Sequence, residues 1–176
     1  MSGFPLSPFN FQLGCAFIRP MSSDQFMREA IKLAEDGMQA GHGGPFGCVV
    51  VRAGQIVGRG NNRVTSTNDP TAHAEVTAIR DACARLATFQ LADCELYTSC
   101  EPCPMCLSAI YWARIPQIYF ANTRQDAAGI GFDDDFIYRQ IPLPLEKRAI
   151  KIHQLLREEG LATFKGWASK TDKVRY

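Results

Sequence analysis

A histidine, a glutamate and two cysteines are spaced so that they can bind a metal ion and move a proton. His73 and Glu75 are two residues apart, and Cys103 and Cys106 are three apart, directly after Pro102. One histidine and two cysteines give zinc three protein ligands, one fewer than a structural zinc site normally has. The fourth tetrahedral position is then left for water, whose pKa zinc lowers to about 7. Glu75 is suited to carry a proton between that water and a substrate.

Both pairs of residues are predicted to lie at the start of a helix. Asp69-Pro70-Thr71 precedes a stretch with helical periodicity, which predicts a helix to about residue 88 with the His73 pair near its N-terminus. Pro104 favours the first turn of a second helix, to about residue 114, with the two cysteines on one face. The positive end of that helix favours the thiolate form that zinc requires.

The remaining pattern alternates strands and helices, which predicts an α/β fold. A hairpin makes the central sheet mixed, and helices separating the strands imply a helical layer on each face. Both motifs then lie in loops that follow strand ends, where active sites of such sheets occur. The predicted elements are a helix capped by Ser23 and Asp24, strands at 46–51, 55–58, 95–99, 117–121 and 149–152, and a last helix at 161–171.

Composition favours a cytoplasmic enzyme with one catalytic domain. The chain has 176 residues, a formal net charge of +1, and seven cysteines with no disulfide-like spacing. The odd cysteine count indicates a reducing compartment. The near-neutral charge gives no general attraction to nucleic acid. No apolar run approaches the ~20 residues that a membrane span needs.

We divide the chain into an N-terminal extension, residues 1–20, and a catalytic domain, residues 21–176, because Met21 directly precedes the first capped helix.

The cysteine pattern alone leaves other kinds of site open. A lone C-x-x-C pair also occurs in redox proteins and as half of a zinc ribbon, although no second pair is present to complete a ribbon. Cys100 could join His73, Cys103 and Cys106 in a four-ligand structural site. Its position at the end of an apparent buried strand instead favours a small core residue.

Longer stretches of the chain resemble one enzyme family. The arrangement H-x-E followed by P-C-x-x-C is the known signature of zinc nucleobase deaminases. From Met21 to Tyr176 the chain is similar to the guanine deaminases of the cytidine-deaminase superfamily. The stretches that carry this resemblance are GGPFG at 43–47, TSTNDPTAHAEVTAIR at 65–80, LYTSCEPCPMCLSAIYWARI at 96–115 and DAAGIGFDDDFIY at 126–138. The resemblance implies a three-layer α/β/α sandwich, zinc as cofactor, and conversion of guanine to xanthine and ammonia.

The resemblance also implies roles for particular residues. His73, Cys103 and Cys106 match the zinc ligands, and Glu75 matches the proton shuttle. The other matches are Asn62, which contacts the purine, Asp134, which binds the base and assists proton transfer, Phe46 and Trp112, which lie near the ring, and Tyr176, which closes over the pocket. The C-terminal segment in this family can come from a partner subunit, so a homodimer with exchanged C-terminal segments is expected.

Without the resemblance, these further residues have simpler interpretations. Asn62 fits a turn, Asp134 fits a solvated acidic loop, and Phe46 and Trp112 fit an ordinary core. The tail that ends at Tyr176 is polar enough to be disordered.

Other functions remain alternatives at this point. One is a tRNA adenosine deaminase, for which Lys165, Lys170, Lys173 and Arg175 could contact phosphate. Others are a deaminase for aminotriazines or other nucleobases, and a non-catalytic module that zinc stabilises. Ammonia release from a panel of bases and nucleosides distinguishes them.

Overall fold

A mixed four-stranded sheet forms the centre of the fold. The computed structural model describes residues 21–175, so the predicted extension at residues 1–20 and the terminal Tyr176 lie outside the described residues. The strand order is β2-β1-β3-β4. Strand β1 pairs antiparallel with both β2 and β3, whereas β3 and β4 are parallel. The strands are β1 Gly47–Arg52, β2 Gln55–Asn61, β3 Cys94–Cys100 and β4 Gln117–Asn122.

The helices lie on both faces of this sheet, which confirms the predicted three-layer α/β/α sandwich. Successive residues of a strand point to opposite faces, and β1 is buried on both. Val49 and Val51 pack with Phe26 of the first helix. Cys48 and Val50 pack on the opposite side with the helices that follow the two chemical motifs. The α-helices are α1 Ser23–Gln39, α2 Val64–Thr67, α3 Ala74–Leu86, α4 Pro104–Trp112, α5 Arg124–Gly129, α6 Asp135–Gln140 and α7 Arg157–Ser169, with a 3₁₀ turn at Leu145–Lys147.

Two glycines allow helices to approach the strands closely. A Cβ atom at Gly47 would overlap the carbonyl oxygen of Ala30 in α1, and one at Gly60 would overlap the carbonyl oxygen of Ala74 in α3. Any other residue at either position would therefore push a helix away from the sheet. The close approach at Gly60 holds the N-terminus of α3, which follows His73, against the end of β2.

The predicted strand at 149–152 is wrong for this chain. Those residues have no strand or helix structure, and the side chains of Ile150 and Ile152 are 74% and 46% exposed. Their alternating pattern is typical of a strand, but within the described chain they reach no sheet edge. A strand requires a hydrogen-bonded neighbour, which sequence periodicity cannot supply.

The last helix is longer at its start than its pattern predicts. It begins at Arg157 and ends at Ser169, whereas the prediction was 161–171. Glu158 and Glu159 occupy its first turn, where acidic side chains suit the helix dipole. None of the helices in residues 21–175 combines the length and apolarity needed to cross a membrane.

Candidate active site

The candidate site lies at one edge of the sheet, where β1 begins and where β2 and β3 end. The register pairs Gly47 with Asn61 and Cys48 with Thr98, so three chain segments meet at this edge. They are the residues before β1, the residues after β2 and the turn after β3. They open onto a cavity of about 550 Å³, which is also lined by residues of α5 and α6 and of the loop between them.

His73, Cys103 and Cys106 are close enough to share one metal ion. The His73 Nδ1 atom lies 3.6 Å from the Cys103 sulfur and 3.5 Å from the Cys106 sulfur. A tetrahedral zinc with ordinary Zn–N and Zn–S bond lengths separates such atoms by about 3.6 Å. Among the described residues, this is the group of His, Cys, Asp and Glu side chains with metal-binding geometry. The donor set and its spacing therefore fit a zinc ion.

The two cysteines adopt their positions through the start of α4. Cys103 is the N-cap residue of α4, with extended backbone, and Pro104 follows at the first helical position. Cys106 is fully buried one turn later. The prediction placed both sulfurs on one helical face; Cys103 instead precedes the helix, although the two sulfurs still converge on His73. His73 is likewise the N-cap residue of its own helix, α3.

The surroundings of the cysteine pair favour the thiolate form of Cys103, which a cation would bind. Hydrogen bonds from the Cys106 thiol and then from the His73 ring lower the pKa of Cys103 to about 4. The same contact with Cys103, followed by burial, raises the pKa of Cys106. Zinc binds cysteines as thiolates, so binding of the ion would release any proton that the pair retains.

Glu75 is buried beside the three candidate ligands. Its side chain is only 6% exposed, yet it contributes to the cavity wall. Burial is the main cause of its raised pKa. The Thr98 hydroxyl donates a hydrogen bond to Glu75 Oε1 at 3.3 Å. A carboxyl group with a raised pKa in a cavity is a candidate for proton transfer to and from a bound substrate.

Asn62 lies at the same cavity with a fixed orientation. It is 5% exposed, and its Oδ1 accepts hydrogen bonds from the backbone amides of Val64 and Gly44, at 3.2 and 3.3 Å. These two donors identify the side-chain oxygen and so set the direction of the NH₂ group. The turn role expected for Asn62 without the resemblance is therefore present, in addition to its location at the cavity.

Asp134 and two aromatic rings also line the cavity. Asp134 is the N-cap residue of α6 and lines the cavity. Partial burial, and next the nearby Cys103, raise the pKa of its carboxyl group. Phe46 packs edge-to-face on Phe132, with ring centroids 4.9 Å apart. Both rings line the cavity and give it the apolar surface that a flat heterocycle needs.

Several lining residues were not identified as candidates from the sequence. Phe132 is part of the quoted GFDD stretch, but its letter alone does not distinguish a cavity wall from core. Glu101 and Arg124 also line the cavity. Glu101 follows β3 and Arg124 is the second residue after β4, and the pairing of these two strands brings the residues together. Nothing local in the sequence connects these last two residues, which are 23 positions apart.

One of the expected site residues is not brought into this cavity. Trp112 ends α4, has a side chain that is 65% exposed, and is absent from the cavity lining of its own chain. The simpler interpretation of Trp112 as core therefore does not hold in the single chain, and its expected role near the purine ring stays a prediction. Tyr176 lies outside the described residues.

Cys100 contributes to the cavity wall but not to the metal-binding group. It is 6% exposed, as expected of a residue at the end of a buried strand. Its thiol donates to the carbonyl oxygen of Thr123 at 3.6 Å, away from the histidine. Burial raises its pKa to about 11, so it is a thiol and not a thiolate at neutral pH. The four-ligand alternative is not supported by this arrangement.

The sequence match to a known family agrees with this geometry. Residues 20–122 match the family described as the cytidine and deoxycytidylate deaminase zinc-binding region. The matched range contains all three candidate ligands and Glu75. The chain belongs to this family. The family match and the geometry of the site therefore identify the same histidine, cysteines and glutamate.

Within the family, two kinds of curated relative differ in how much of the chain they match. Guanine deaminase of Bacillus subtilis (strain 168) is 53% identical over 156 residues, which are 89% of this chain and 100% of the relative. The tRNA-specific adenosine deaminase of Aquifex aeolicus is 37% identical over 110 residues, which are 62% of this chain and 72% of the relative. The guanine deaminase match therefore extends beyond the region that the family shares.

Solved structures of relatives agree with the fold. The X-ray structure of guanine deaminase from Bacillus subtilis superposes with a TM-score of 0.86 at 52% identity, covering 89% of this chain and 99% of that chain. A guanine deaminase from Nitrosomonas europaea gives a TM-score of 0.62 at 31% identity, covering 82% of this chain and 84% of that one. The three-layer deaminase fold is therefore shared along most of the chain.

Proposed function

We propose that this protein catalyses the zinc-dependent hydrolysis of guanine to xanthine and ammonia. The observation that carries this proposal is the 53% identity to a guanine deaminase over that relative's entire length. The cavity supports it chemically, because a three-ligand metal group, a buried glutamate and an acidic wall residue surround one space. The overall reaction balances when one water enters and one ammonia leaves.

The candidate metal group fits zinc because thiolate and imidazole are ligands that zinc prefers. His73, Cys103 and Cys106 would hold the ion. Bound there, zinc supplies an activated water for hydrolysis. Three protein ligands would leave the fourth position free for water. The Cys100 thiol is not a fourth ligand, because it donates to the carbonyl oxygen of Thr123.

Glu75 is the proposed proton carrier. It adjoins His73 in the chain and contributes to the cavity wall, so a base bound beside the metal group would lie within its reach. It accepts a proton from water at the start of the reaction. It then delivers protons to the ring nitrogen and to the departing amine. Burial raises its pKa, which brings the protonated form closer in free energy to the ionised form and is typical of catalytic acids and bases.

Asp134 and Asn62 are proposed to recognise guanine by hydrogen bonds to its donor and acceptor groups. An ionised carboxylate only accepts hydrogen bonds, and guanine offers ring N–H and amino donors. Asn62 presents the opposite polarity, because its oxygen is occupied by two backbone amides and its NH₂ group remains to donate. Guanine also has ring-nitrogen and carbonyl acceptors for such a donor. A base with the reverse pattern would leave the buried polar groups unpaired, which costs about 1–3 kcal/mol for each group.

Phe46 is the proposed aromatic contact for the purine ring. Its ring forms an edge-to-face pair with Phe132 and lines the cavity beside the polar groups. A flat base between apolar walls loses contact with water, which strengthens its hydrogen bonds to the polar groups.

We also propose a homodimer in which C-terminal segments are exchanged. Large apolar side chains of the C-terminal half are exposed in the single chain: Ile150 is 74% exposed, Leu155 83%, Phe164 73% and Trp167 46%. Exposed apolar groups on this scale are typical of an interface. A neighbouring subunit would cover them and could bring Tyr176, and the exposed Trp112, to the cavity of its partner.

A cytoplasmic location agrees with the state of the thiols. The six described cysteines are all free. Free buried thiols and a zinc-ligating pair are typical of reducing compartments. We therefore propose the cytoplasm as the location, and purine breakdown as the role that follows from the reaction.

The substrate is tested by measuring ammonia release from guanine, guanosine, adenine, cytosine, cytidine and a tRNA anticodon stem-loop. We expect turnover with guanine to exceed that with each of the others by at least about 100-fold, because a mispaired buried edge lowers kcat/KM to this extent. The Glu75→Gln variant is the control for contaminating activity. Preferred turnover of the stem-loop would support the tRNA adenosine deaminase alternative, and zinc binding without turnover of any substrate would support a non-catalytic module. An aminotriazine belongs in the same panel.

A further inference from the structure

A hydrogen bond joins the helix that carries Asp134 to the turn that carries Cys103. Tyr138 lies in α6, and its backbone amide donates to the carbonyl oxygen of Asp134 at 3.2 Å. Its phenolic hydroxyl donates to the carbonyl oxygen of Pro102 at 3.3 Å. Pro102 directly precedes Cys103, so this bond connects the helix that begins after Asp134 to the segment that carries a candidate zinc ligand.

Arg124 contacts both α6 and the turn before Cys103; we call this meeting point of α6, α5 and the turn the junction. Its guanidinium carbon is 4.7 Å from the centre of the Tyr138 ring, within the range of a cation–π contact. Its backbone amide donates to Glu101 Oε2 at 3.2 Å. Glu101 is in the turn that contains Pro102. Arg124 therefore connects that turn to α6 from a third segment, the start of α5.

The rest of α6 is poorly covered by the chain. The side chains of Phe136 and Ile137 are 54% and 45% exposed. A helix of six residues is too short to be stable without tertiary contacts. The orientation of its first turn, and so of Asp134, consequently depends on contacts such as those of Tyr138. The positive charge of Arg124 also opposes the burial that raises the Asp134 pKa, and so favours the ionised carboxylate.

We propose that Tyr138 and Arg124 are positioning residues for substrate recognition, which hold α6 against the turn before Cys103 so that Asp134 faces the bound base. This inference rests on the proposed function, because it concerns the same cavity and the same base. Neither residue needs to touch the substrate in this role. Their loss should therefore weaken recognition through Asp134 and leave the zinc ligands unchanged.

The first test removes only the hydroxyl group of Tyr138. The Tyr138→Phe variant keeps the ring under Arg124 but loses the bond to Pro102. We expect KM for guanine to rise about two- to ten-fold, the range that follows from one lost hydrogen bond, with a smaller change in kcat and unchanged zinc content. Tyr119→Phe is the matched control, because the Tyr119 hydroxyl bonds to Gln117 on β4 and not to the cavity. The control should behave as wild type.

The second test asks whether Tyr138 acts through Asp134. Tyr138→Phe is combined with Asp134→Asn, and the two single variants complete a double-mutant cycle. If Tyr138 positions Asp134, removing the hydroxyl should have little further effect once the carboxylate is gone. Independent, multiplicative losses of kcat/KM in an enzyme that is otherwise active would overturn the inference.

Arg124 is tested by two substitutions of graded severity. Arg124→Met removes the charge and the cation–π contact, and should raise KM more than Arg124→Lys, which keeps the charge. Arg139→Met is the matched control, because Arg139 lies in the same helix and pairs with Asp135 at the surface. Equal effects of Arg124→Met and Arg139→Met would show that loss of charge near α6 is the cause, and would contradict the positioning role.

Failure of the inference and failure of the proposed function give different results. Wild-type turnover of guanine tests the function by itself. The junction is tested without any substrate by amide hydrogen exchange at residues 134–138, which should be faster in Tyr138→Phe than in Tyr119→Phe. Equal exchange in the two variants overturns the positioning role, whichever base the enzyme deaminates.

Discussion

Thr98 and Glu75 form a hydrogen bond in the interior of the protein, with the Thr98 hydroxyl donating to Glu75 Oε1 at 3.3 Å. The two residues are 1% and 6% exposed. Thr98 lies in β3 and Glu75 in the first turn of α3, so this bond connects the sheet to the helix that follows His73. The bond therefore fixes one oxygen of the Glu75 carboxyl group against the sheet.

Glu75→Gln should abolish turnover and preserve the fold. The amide carbonyl of the variant can still accept the bond from Thr98, but it cannot carry a proton. We expect kcat to fall about 10²–10⁴-fold, the typical contribution of general acid–base catalysis, with one zinc per chain still bound. Steady-state ammonia release and elemental analysis measure the two quantities. Glu35→Gln, on the exposed side of α1, is the control, and a Glu75→Gln variant that keeps more than about a tenth of the wild-type rate would rule out the shuttle role.

Glu75 should also make the metal-free protein less stable as the pH rises. Burial raises its pKa above the ordinary value of 4.5. The folded state therefore binds this proton more tightly than the unfolded state, and the free energy of unfolding falls as the pH rises from 4.5 through the raised pKa. Urea unfolding of chelator-treated protein over this range should show that decline in wild type and a weaker decline in Glu75→Gln. Parallel pH profiles of the two proteins would contradict the prediction.

The purified protein should contain about one zinc ion per chain, held by His73, Cys103 and Cys106. Alanine substitution of any of the three should lower the zinc content sharply and remove activity. Cys100→Ser is the matched control, because its thiol bonds to a backbone carbonyl outside the metal group. It should keep its zinc. Active wild-type enzyme without zinc, or loss of zinc in Cys100→Ser, would contradict this ligand set.

Asp134→Asn should impair guanine turnover far more than stability. The substitution replaces an acceptor oxygen with a donor amide, which sets donor against donor at the base edge. We expect kcat/KM for guanine to fall at least about ten-fold, corresponding to one unpaired buried group, while the midpoint of thermal unfolding changes little. Asp135→Asn is the neighbouring control, since the Asp135 side chain pairs with Arg139 in the same helix. Unchanged kinetics with a lower unfolding midpoint would make Asp134 a structural loop residue.

The two ends of the chain should differ in importance. Deletion of residues 1–20 should leave activity largely intact, because the capped helix α1 begins after them, at Ser23. Deletion of the last residues, including Tyr176, should weaken catalysis and preserve zinc, because a segment closing the cavity would exclude water. Steady-state rates and zinc content of the two deletion variants check this.

A mixing experiment tests whether C-terminal segments cross between subunits. A tail-deleted chain has an intact metal site, and a Glu75→Gln chain has an intact tail. If tails cross, the mixed dimer regains activity, since one intact site receives the neighbour's tail. A tail-deleted chain that also carries Glu75→Gln replaces the second partner as the negative control. Lack of rescue in verified mixed dimers would contradict the exchange and leave the deaminase proposal unaffected.

The metal group could be predicted from the sequence because its geometry is local. His73 and Cys103 each begin a helix, and Cys106 follows one turn later, so short spacings place the ligands. The four strands of the sheet could be predicted for a similar reason, since each is a short run with strand-forming residues, bounded by a turn or by a helix. Within the metal group, only the position of Cys103 needed correction, because it caps α4 instead of lying inside it.

The aromatic pair and the contacts of α6 at the cavity could not be predicted from local pattern. Phe132 meets Phe46 across 86 positions, and Tyr138 meets Pro102 across 36. Such contacts depend on how α5 and α6 return to the sheet, which no periodicity encodes. The strand expected at 149–152 failed for a related reason: alternating isoleucines are typical of a strand, but the pattern does not supply the hydrogen-bonded neighbour that a strand requires.

The hairpin turn at Ala53 and Gly54 lies at the far end of the sheet from the cavity. Arg52 pairs with Gln55 beside this turn, whereas Gly47 pairs with Asn61 at the site. Five residues of extended strand separate the two ends by roughly 17 Å. Gly54 adopts a positive φ of 74° in the open turn. A peptide tag or an immobilisation handle inserted here would leave the catalytic edge facing away from a solid support, which makes this turn the natural place to attach the enzyme to a sensor surface.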